Sequence, residues 1–414
     1  MRILQANKFL YPKGGAEVVC LGLKDLLEEA GHEVGLFGMQ DERNLCDEQS
    51  NFPSKVDYHE DRSTLQMARE ALRTIYGLEA RRGLELTLDH YRPQIAHLHN
   101  IYHQLSPSIL RPLKDRSIPV ILTLHDFKLL CPTYSFLRQG KICEECPGKA
   151  NLPLLAHRCW GESLPASLVL WLEDRLHRFL RSYEEGVSVF TAPSRFYRDR
   201  MKEGRLKGLD VRYLPNFLPF GDHILDSPFV EPPRKELPEL LWVGRMSEEK
   251  GLHTLLQALA REQLPLRLSL AGDGPAEPSL RELSAELGLG DRVRFLGRIG
   301  REEVPQRILE SDGTILPSEW YENAPISVLE SMALGRPVLA SRIGGVPEMV
   351  VEGKSGWLFE AGNKDSLLET LGRWSADREA SIAVGRSAYD MAREKYHPRV
   401  VLKMVLELYR ELGS

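Results

Sequence analysis

A chain of 414 residues exceeds the size at which one hydrophobic core usually stops growing, so two domains are expected. Its 42% hydrophobic and 27% charged residues describe an ordinary globular protein that needs no disulfide staples, and a net charge of -5 argues against a dedicated nucleic-acid binder. No apolar run approaches the roughly 18 residues that would span a bilayer, and the opening residues 1–7 lead into a strand pattern rather than a signal peptide. A cytoplasmic protein with reduced cysteines is the expectation.

Short apolar runs alternate with longer periodic segments. Residues 2–7 predict a strand. Residues 16–30 predict a helix with Ala16, Val19, Leu23, Leu26, Leu27 and Ala30 on one face. Gly31 stops that helix, and 34–38 is the next strand. Further strands are expected over 94–99, 118–125 and 187–192, followed by a helix from Ser194 and a strand over 211–214. Residues 220–238 contain Pro228, Pro232, Pro233 and Pro238 without periodicity and read as a linker. Beyond it, strands over 239–244, 266–271, 292–296, 314–316 and 337–340 alternate with helices over 252–261, 278–287, 301–310 and 325–334. Such alternation gives parallel sheets covered by helices. The expected class is α/β: two Rossmann-like doubly wound domains facing across a cleft, with ligand at the C-terminal strand ends.

The strongest local pattern is Glu322-Asn323-Ala324-Pro325-Ile326 leading to Glu330. Pro325 suits a first helical turn, and free N–H groups at a helix start favour an anion. Glu330 shares a stripe with Ile326, Leu329 and Ala333, and a carboxylate facing a core needs partners, which a ribose diol would supply. Glu322, in the loop before the helix, is placed to bind sugar hydroxyls. Gly244-Arg245 and Lys250-Gly251 follow a strand, so two cations stand where a departing diphosphate would sit. The turn at Gly272-Asp273-Gly274 and the pair Gly344-Gly345 read as structural. The backbone at Arg298 and Ile299 suits either a base edge or a plain loop. Two ordinary surface glutamates and a solvated charged turn are the alternatives to a ligand socket.

Taken together, these segments resemble the retaining glycosyltransferases of family four, which have the GT-B fold. The resemblance covers Gly244-Arg245, Lys250-Gly251, Gly272-Asp273-Gly274, Phe295-Leu296-Gly297, Pro317-Ser318 ahead of Glu322 and Glu330, and Gly335-Arg336-Pro337-Val338. In the first half it covers Gly14-Gly15-Ala16-Glu17, His97-Leu98-His99-Asn100, Thr123-Leu124-His125-Asp126 and Pro215-Asn216. It implies an acceptor-side domain over 1–218, a nucleotide-sugar domain over 219–396, and a terminal helix, about 397–414, that returns to the first domain with Val400, Val401, Met404, Leu408 and Leu412 inward. It also implies roles. Arg245, Lys250 and Gly15 approach the donor diphosphate. Glu322 and the N–H groups of Asn323, Ala324, Pro325's neighbour Ile326 and the turn around them hold the donor sugar. Glu330, Arg298 and Ile299 take ribose and base. His125 lies beside the transferring sugar, with Glu322 as its catalytic companion, and His99 and Asn100 belong to the acceptor side. The resemblance further implies a UDP-, GDP- or ADP-linked donor, a glycan, lipid-linked or small-molecule acceptor, no nucleic acid, and no catalytic metal or other cofactor. A nucleotide-sugar 2-epimerase on the same architecture and a catalytically silent sugar-binding scaffold are the competing readings.

Two features lie outside that pattern. Cys131, Cys143, Cys146 and Cys159 form an insertion over 131–160 with a C-x2-C knuckle, whose spacing suits a tetrahedral structural zinc site as well as four thiols in a packed loop. Residues 167–183 predict a helix with Leu168, Leu172, Leu176, Phe179 and Tyr183 in one stripe among arginines, and a second Arg-bearing stretch runs over 69–82. Such a stripe suits either core burial or peripheral contact with the inner face of a membrane.

Overall fold

The computed structural model describes residues 1–56, 64–218, 222–262 and 264–413. The chain forms two compact units. The first is Met1–Phe136 with Cys143–Pro215 and Leu402–Ser414; the second is Leu137–Ile142 with Asn216–Val401. Each carries a six-stranded, wholly parallel sheet, and both are α/β domains.

In the first unit the strands are β1 (Arg2–Ala6), β2 (Glu33–Phe37), β3 (Ile95–Leu98), β4 (Val120–Thr123), β5 (Val189–Ala192) and β6 (Val211–Tyr213), in the order β2-β1-β3-β4-β5-β6. Strands β3, β4 and β5 are buried along their whole length, as expected of a sheet covered on both faces. Helix α1 (Gly15–Glu29) connects β1 to β2 and buries Val18, Val19, Leu23, Leu26 and Leu27. Helix α2 (Thr64–Ile75) and helix α3 (Leu164–Phe179) pack on one another. The predicted helix over 167–183 differs from this. It starts at Leu164, where Ser163 caps it by accepting from the Ala166 N–H, and Arg181 in a left-handed conformation breaks it before Tyr183. Tyr183 is therefore buried on the next short helix, off the predicted stripe.

The second unit has β7 (Glu239–Val243), β8 (Arg267–Ala271), β9 (Val293–Gly297), β10 (Gly313–Leu316), β11 (Val338–Ser341) and β12 (Gly356–Phe359), ordered β9-β8-β7-β10-β11-β12. Strand β12 and the long helices Lys364–Ala376 and Arg378–Tyr396 lie beyond the predicted elements. Strand order reverses between β7 and β10, which pair at Gly313 with Leu240 and Thr314 with Leu241. Helix α4 (Leu252–Arg261) follows β7. Helix α5 (Ile326–Ala333) follows β10 and buries Val328, Leu329, Met332 and Ala333. Pro325 is the cap before α5 and not its first residue, and the inward stripe is Val328–Met332 rather than Ile326–Glu330. The expected linker contains a helix, Asp222–Asp226, whose Leu225 is fully buried, and residues 219–221 lie outside the described residues.

Two sequence motifs turn out to be scaffolding. Arg336 is wholly buried and donates to the carbonyls of Ser311, Val230, Leu334 and Leu309, tying three segments of the second unit to β11. The terminal helix α6 (Pro398–Leu412) turns Val401, Val405, Leu408 and Tyr409 inward and leaves Val400 exposed, which corrects the predicted face by one residue. Among the described residues no helix is long and apolar enough to cross a membrane.

Candidate active site

The reversal point of the second sheet assembles the first cluster. The loop leaving β7 carries Gly244, Arg245 and Lys250, and the loop leaving β10 carries Pro317, Ser318, Trp320 and Glu322. Adjacent parallel strands thus end side by side, which is where open α/β sheets bind ligands. Three donors converge on one oxygen, Glu322 Oε1: Lys250 Nζ at 2.7 Å, Ser318 Oγ at 2.7 Å and Trp320 Nε1 at 2.8 Å. The Lys250 ammonium also stands 4.8 Å from the centre of the Trp320 ring. Burial pushes the Glu322 carboxyl up, but the Lys250 charge and these hydrogen bonds outweigh it and hold the group below the ordinary glutamate range.

Two glycines permit this approach. Gly251 has φ +69°, and a Cβ there would sit 1.9 Å from the Pro317 carbonyl oxygen. Gly344 has φ +59°, and a Cβ would meet the Glu322 carbonyl oxygen at 2.1 Å, while the Gly345 N–H donates to that same oxygen at 2.8 Å. The Gly344-Gly345 turn therefore holds Glu322 in place by main chain alone. The Gly272-Asp273-Gly274 turn backs the Arg245 loop, with the Met246 N–H donating to the Asp273 carbonyl at 2.7 Å. Asn216 braces the turn before α5 by donating to the Ala324 carbonyl at 3.0 Å.

Glu330 lies on α5, behind this cluster. Its nearest cation is Arg301, at 3.8 Å, and burial raises its carboxyl to about 7 although Arg301 opposes the shift. Asn323, Ala324 and Pro325 form the half-buried turn between Glu322 and α5, whose first residue, Ile326, is half-buried as well. Arg245 and Arg298 are exposed, without a hydrogen bond or ion pair among the described residues, and Ile299 packs beside Val243 and Leu296. Ser318 belongs to a motif of the resemblance, but Trp320 and Arg301 carry no sequence signal that singles them out. Trp320 lies two residues before Glu322, a spacing that only the observed loop turns into a contact.

The first unit gathers a second cluster at its own strand ends. His99 follows β3 and His125 follows β4, with His99 Nδ1 2.9 Å from His125 Nε2 and the rings stacked at 5.2 Å. His97 stacks on His99 at 4.8 Å and bonds the Tyr409 hydroxyl at 2.8 Å and Thr123 Oγ1 at 2.7 Å. Burial lowers all three imidazoles, His97 to about 3 and His125 to about 4, so they are neutral near pH 7. His99 Nε2 is buried without a partner among the described residues. Burial raises the neighbouring Asp126 carboxyl to about 6. Asn100 accepts from the Tyr102 hydroxyl, and its N–H donates to Asn7, whose amide reaches Glu17 at the start of α1. His99 and Asn100 are both buried by these partners, while Gly15, the first residue of α1, is exposed.

The four insertion cysteines share one neighbourhood. Burial, then the neighbouring Cys131, Cys159 and Cys143, push the Cys146 thiol up to about 12. Yet among the described residues no cysteine is in a disulfide, and no group of three or more His, Cys, Asp or Glu side chains is arranged to hold a metal ion. Cys131 Sγ instead hydrogen-bonds Thr133 Oγ1 at 3.2 Å, and Cys146 packs with Leu154 and Leu170, so these sulfurs serve as small buried apolar groups.

Comparison with known proteins places this geometry in a family. The family described as Glycosyltransferase Family 4 matches residues 13–219, and Glycosyl transferases group 1 matches residues 225–391. An alpha-D-kanosaminyltransferase of Streptomyces kanamyceticus is 31% identical over 179 residues, covering 42% of this chain and 46% of that protein. A sulfoquinovosyl transferase of Arabidopsis thaliana is 34% identical over 311 residues, covering 72% of this chain and 54% of that protein. These matches span about half the length of the curated relatives. Among solved structures, a sucrose-phosphate synthase from Thermosynechococcus elongatus superposes with a TM-score of 0.71 at 19% identity, covering 99% of this chain and 98% of that one. HepE of Anabaena, in complex with UDP and glucose, gives 0.66 at 18% identity, covering 99% and 100%. The fold is GT-B, and the chain belongs to the glycosyltransferases of family four, with the group 1 glycosyltransferase domain as its second half.

Proposed function

We propose that the protein transfers a sugar, with retention of anomeric configuration, from a nucleotide-diphosphate donor to a glycan, lipid-linked or small-molecule hydroxyl in polysaccharide or glycoconjugate biosynthesis. The observation that carries this reading is the convergence of Lys250, Ser318 and Trp320 on Glu322 at the sheet reversal, with the exposed Arg245 on the same loop as Lys250.

Each part has a physical task. Arg245 and Lys250 take the negative charge that accumulates on the departing diphosphate. Glu322, held ionised, accepts hydrogen bonds from donor-sugar hydroxyls, and the N–H groups after it receive the remaining oxygens. Glu330 accepts from the ribose diol. As the bond between the anomeric carbon and the phosphate oxygen breaks, the acceptor oxygen bonds that carbon and its proton leaves with the diphosphate. In the first unit, neutral His125 offers a hydrogen bond without bringing a charge of its own. His99 and Asn100 act through their neighbours, holding His125 and the β1 end in place.

One solved protein of this fold, HepE of Anabaena, holds UDP with glucose in one structure and UDP-glucose in another, so UDP-sugars come first in a donor screen. The test is thermal shift with UDP-, GDP- and ADP-sugars, followed by donor hydrolysis. One nucleotide series raises the melting temperature by mass action, and hydrolysis disappears in Glu322→Ala and Lys250→Ala. Formation of an epimerised donor with no transfer product, or hydrolysis unchanged in both variants, overturns the reading.

A further inference from the structure

Helix α3 is built inside out. The side chains it buries are Ser167, Leu170, Glu173, Asp174 and His177, while Leu164, Leu168, Leu172 and Phe179 face solvent and Val169, Trp171 and Leu176 are half-buried. The buried polar groups are satisfied: Glu173 pairs with Lys128 at 2.7 Å, Asp174 with Arg178 at 2.7 Å and Arg205 at 3.1 Å, and His177 bonds the Ile75 carbonyl and Ser182. Leu164, Leu168, Leu172 and Phe179 are 47%, 42%, 39% and 84% exposed. At about 100° per residue these four fall within one arc of roughly 80°, and exposed Arg175 falls in the same arc. The predicted stripe is thus correct at Leu168, Leu172 and Phe179, but it faces outward.

Two of the elements packed against α3 add exposed apolar side chains. Helix α2 leaves Met67 and Leu72 exposed, and the short helix Leu152–Ala156 leaves Leu152 exposed. With Leu180, these positions make up half of the large apolar side chains that the described residues expose. A patch of that kind marks an interaction surface rather than scatter.

Charge identifies what covers it. Both acids of α3 point inward, which leaves Arg175 on the outer face. At the C-terminal end of the helix a cavity of about 230 Å³ opens beside Leu180, lined by Arg81, Arg111, Lys114, Arg181 and Glu185; Arg81 pairs with Glu85 and Arg111 with Asp115, while Lys114 and Arg181 share Glu185, which leaves a cation in excess. A second copy on the same face would set arginine against arginine across a two-fold axis. Apolar side chains among outward cations instead fit lipid tails beneath anionic headgroups.

We propose that α3, with the exposed ends of α2 and Leu152–Ala156, lies in the interface of an anionic phospholipid bilayer, with Leu168, Leu172 and Phe179 among the acyl chains and Arg175 at headgroup level. This docking is independent of which sugar the protein transfers.

Vesicle flotation of the full chain tests it, using phosphatidylcholine vesicles with and without about one-third phosphatidylglycerol. The wild type floats with the anionic vesicles, and binding weakens as salt screens the arginines. Leu168→Ser with Leu172→Ser, and separately Phe179→Glu, reduce partitioning at least about tenfold. Arg175→Glu reduces it on anionic vesicles only. These sites are exposed, so melting temperatures and soluble-substrate turnover stay at wild-type values, and Leu86→Ser on another exposed face leaves flotation unchanged. Absence of wild-type flotation at low salt overturns the proposal. So does flotation that persists in both apolar variants, or a wild-type dimer by sedimentation that Leu168→Ser with Leu172→Ser dissociates.

Discussion

Lys250 Nζ lies 2.7 Å from Glu322 Oε1, and the two residues reach each other from loops that leave neighbouring strands β7 and β10. The cation assigned to the diphosphate and the acid assigned to the sugar are therefore already coupled before any donor arrives. A donor that draws Lys250 toward phosphate must offer Glu322 a replacement hydrogen bond, which a sugar hydroxyl does. Nucleotide alone meets half of this demand and a nucleotide sugar meets all of it.

Removing the cation tests the coupling. Lys250→Met leaves Glu322 buried with two neutral donors and is expected to destabilise the second unit by about 2–3 kcal/mol, toward the lower end for a broken buried pair because the lysine keeps some solvent contact. Urea unfolding at neutral pH measures it. The sign with pH is fixed: the folded carboxyl is held below its ordinary 4.5, so its stabilisation is complete above that value and fades as pH falls through the depressed one. The gap between wild type and Glu322→Gln should close in acid. A constant gap would rule out an ionised glutamate.

Glu330 runs the other way. Its folded carboxyl is raised from 4.5 to about 7, so the folded state binds more protons than the unfolded state across that interval and loses stability as pH rises through it. The cost of the charged form is about 3 kcal/mol at most. Glu330→Gln should therefore be more stable than wild type at pH 8 yet bind the nucleotide more weakly, by roughly tenfold for a lost charge-assisted hydrogen bond. Calorimetric melting and nucleotide titration of the same samples separate the two effects.

His125 and its partners set a third expectation. With its imidazole lowered from 6.5 to about 4, the turnover profile should have no histidine limb near 6.5. Folding stability should decline as pH falls from 6.5 toward 4, because the unfolded imidazoles take up protons that the buried ones refuse. His99→Ala should move that limb back toward the ordinary value, since His125 then gains water where His99 now stacks. A pH–rate series on wild type and His99→Ala decides it.

Gly344→Ala is a fourth. The added Cβ falls 2.1 Å from the Glu322 carbonyl oxygen, at a φ of +59°. A loss of about 2–4 kcal/mol from strain and clash should accompany a fall in donor affinity, whereas Gly353→Ala, also at positive φ but with open space, should lose stability alone. Thermal melts with and without nucleotide distinguish them.

The alternation of strands and helices was legible because buried parallel strands such as 240–243 and 338–340 are continuous apolar runs beside Gly244 and Pro337. Glu322, Lys250 and Arg245 were legible because the Pro325 turn and the Gly251 turn mark strand ends. The orientation of α3 was not, since a stripe of leucines is the same in sequence whether it faces a core or solvent; the acids Glu173 and Asp174 decide it only through Lys128 and Arg205, which come from other elements. The choice between the two readings of the four cysteines was not legible either. Spacing brings Cys143 and Cys146 together, but only tertiary packing sets Cys146 against Leu154 and Leu170.

At Gly251 and Gly344 one peptide plane rests on another with nothing between them. Natural variation can trim or enlarge a side chain, but it has no purchase on a seam made only of amides. Under the proposed function the gauge of the donor site is inherited with the backbone, and tolerance for a different sugar would be tuned at Trp320, Asn323 and Ala324, which lie on the loop that carries Glu322. An engineer seeking a new sugar should diversify those three and leave both glycines untouched.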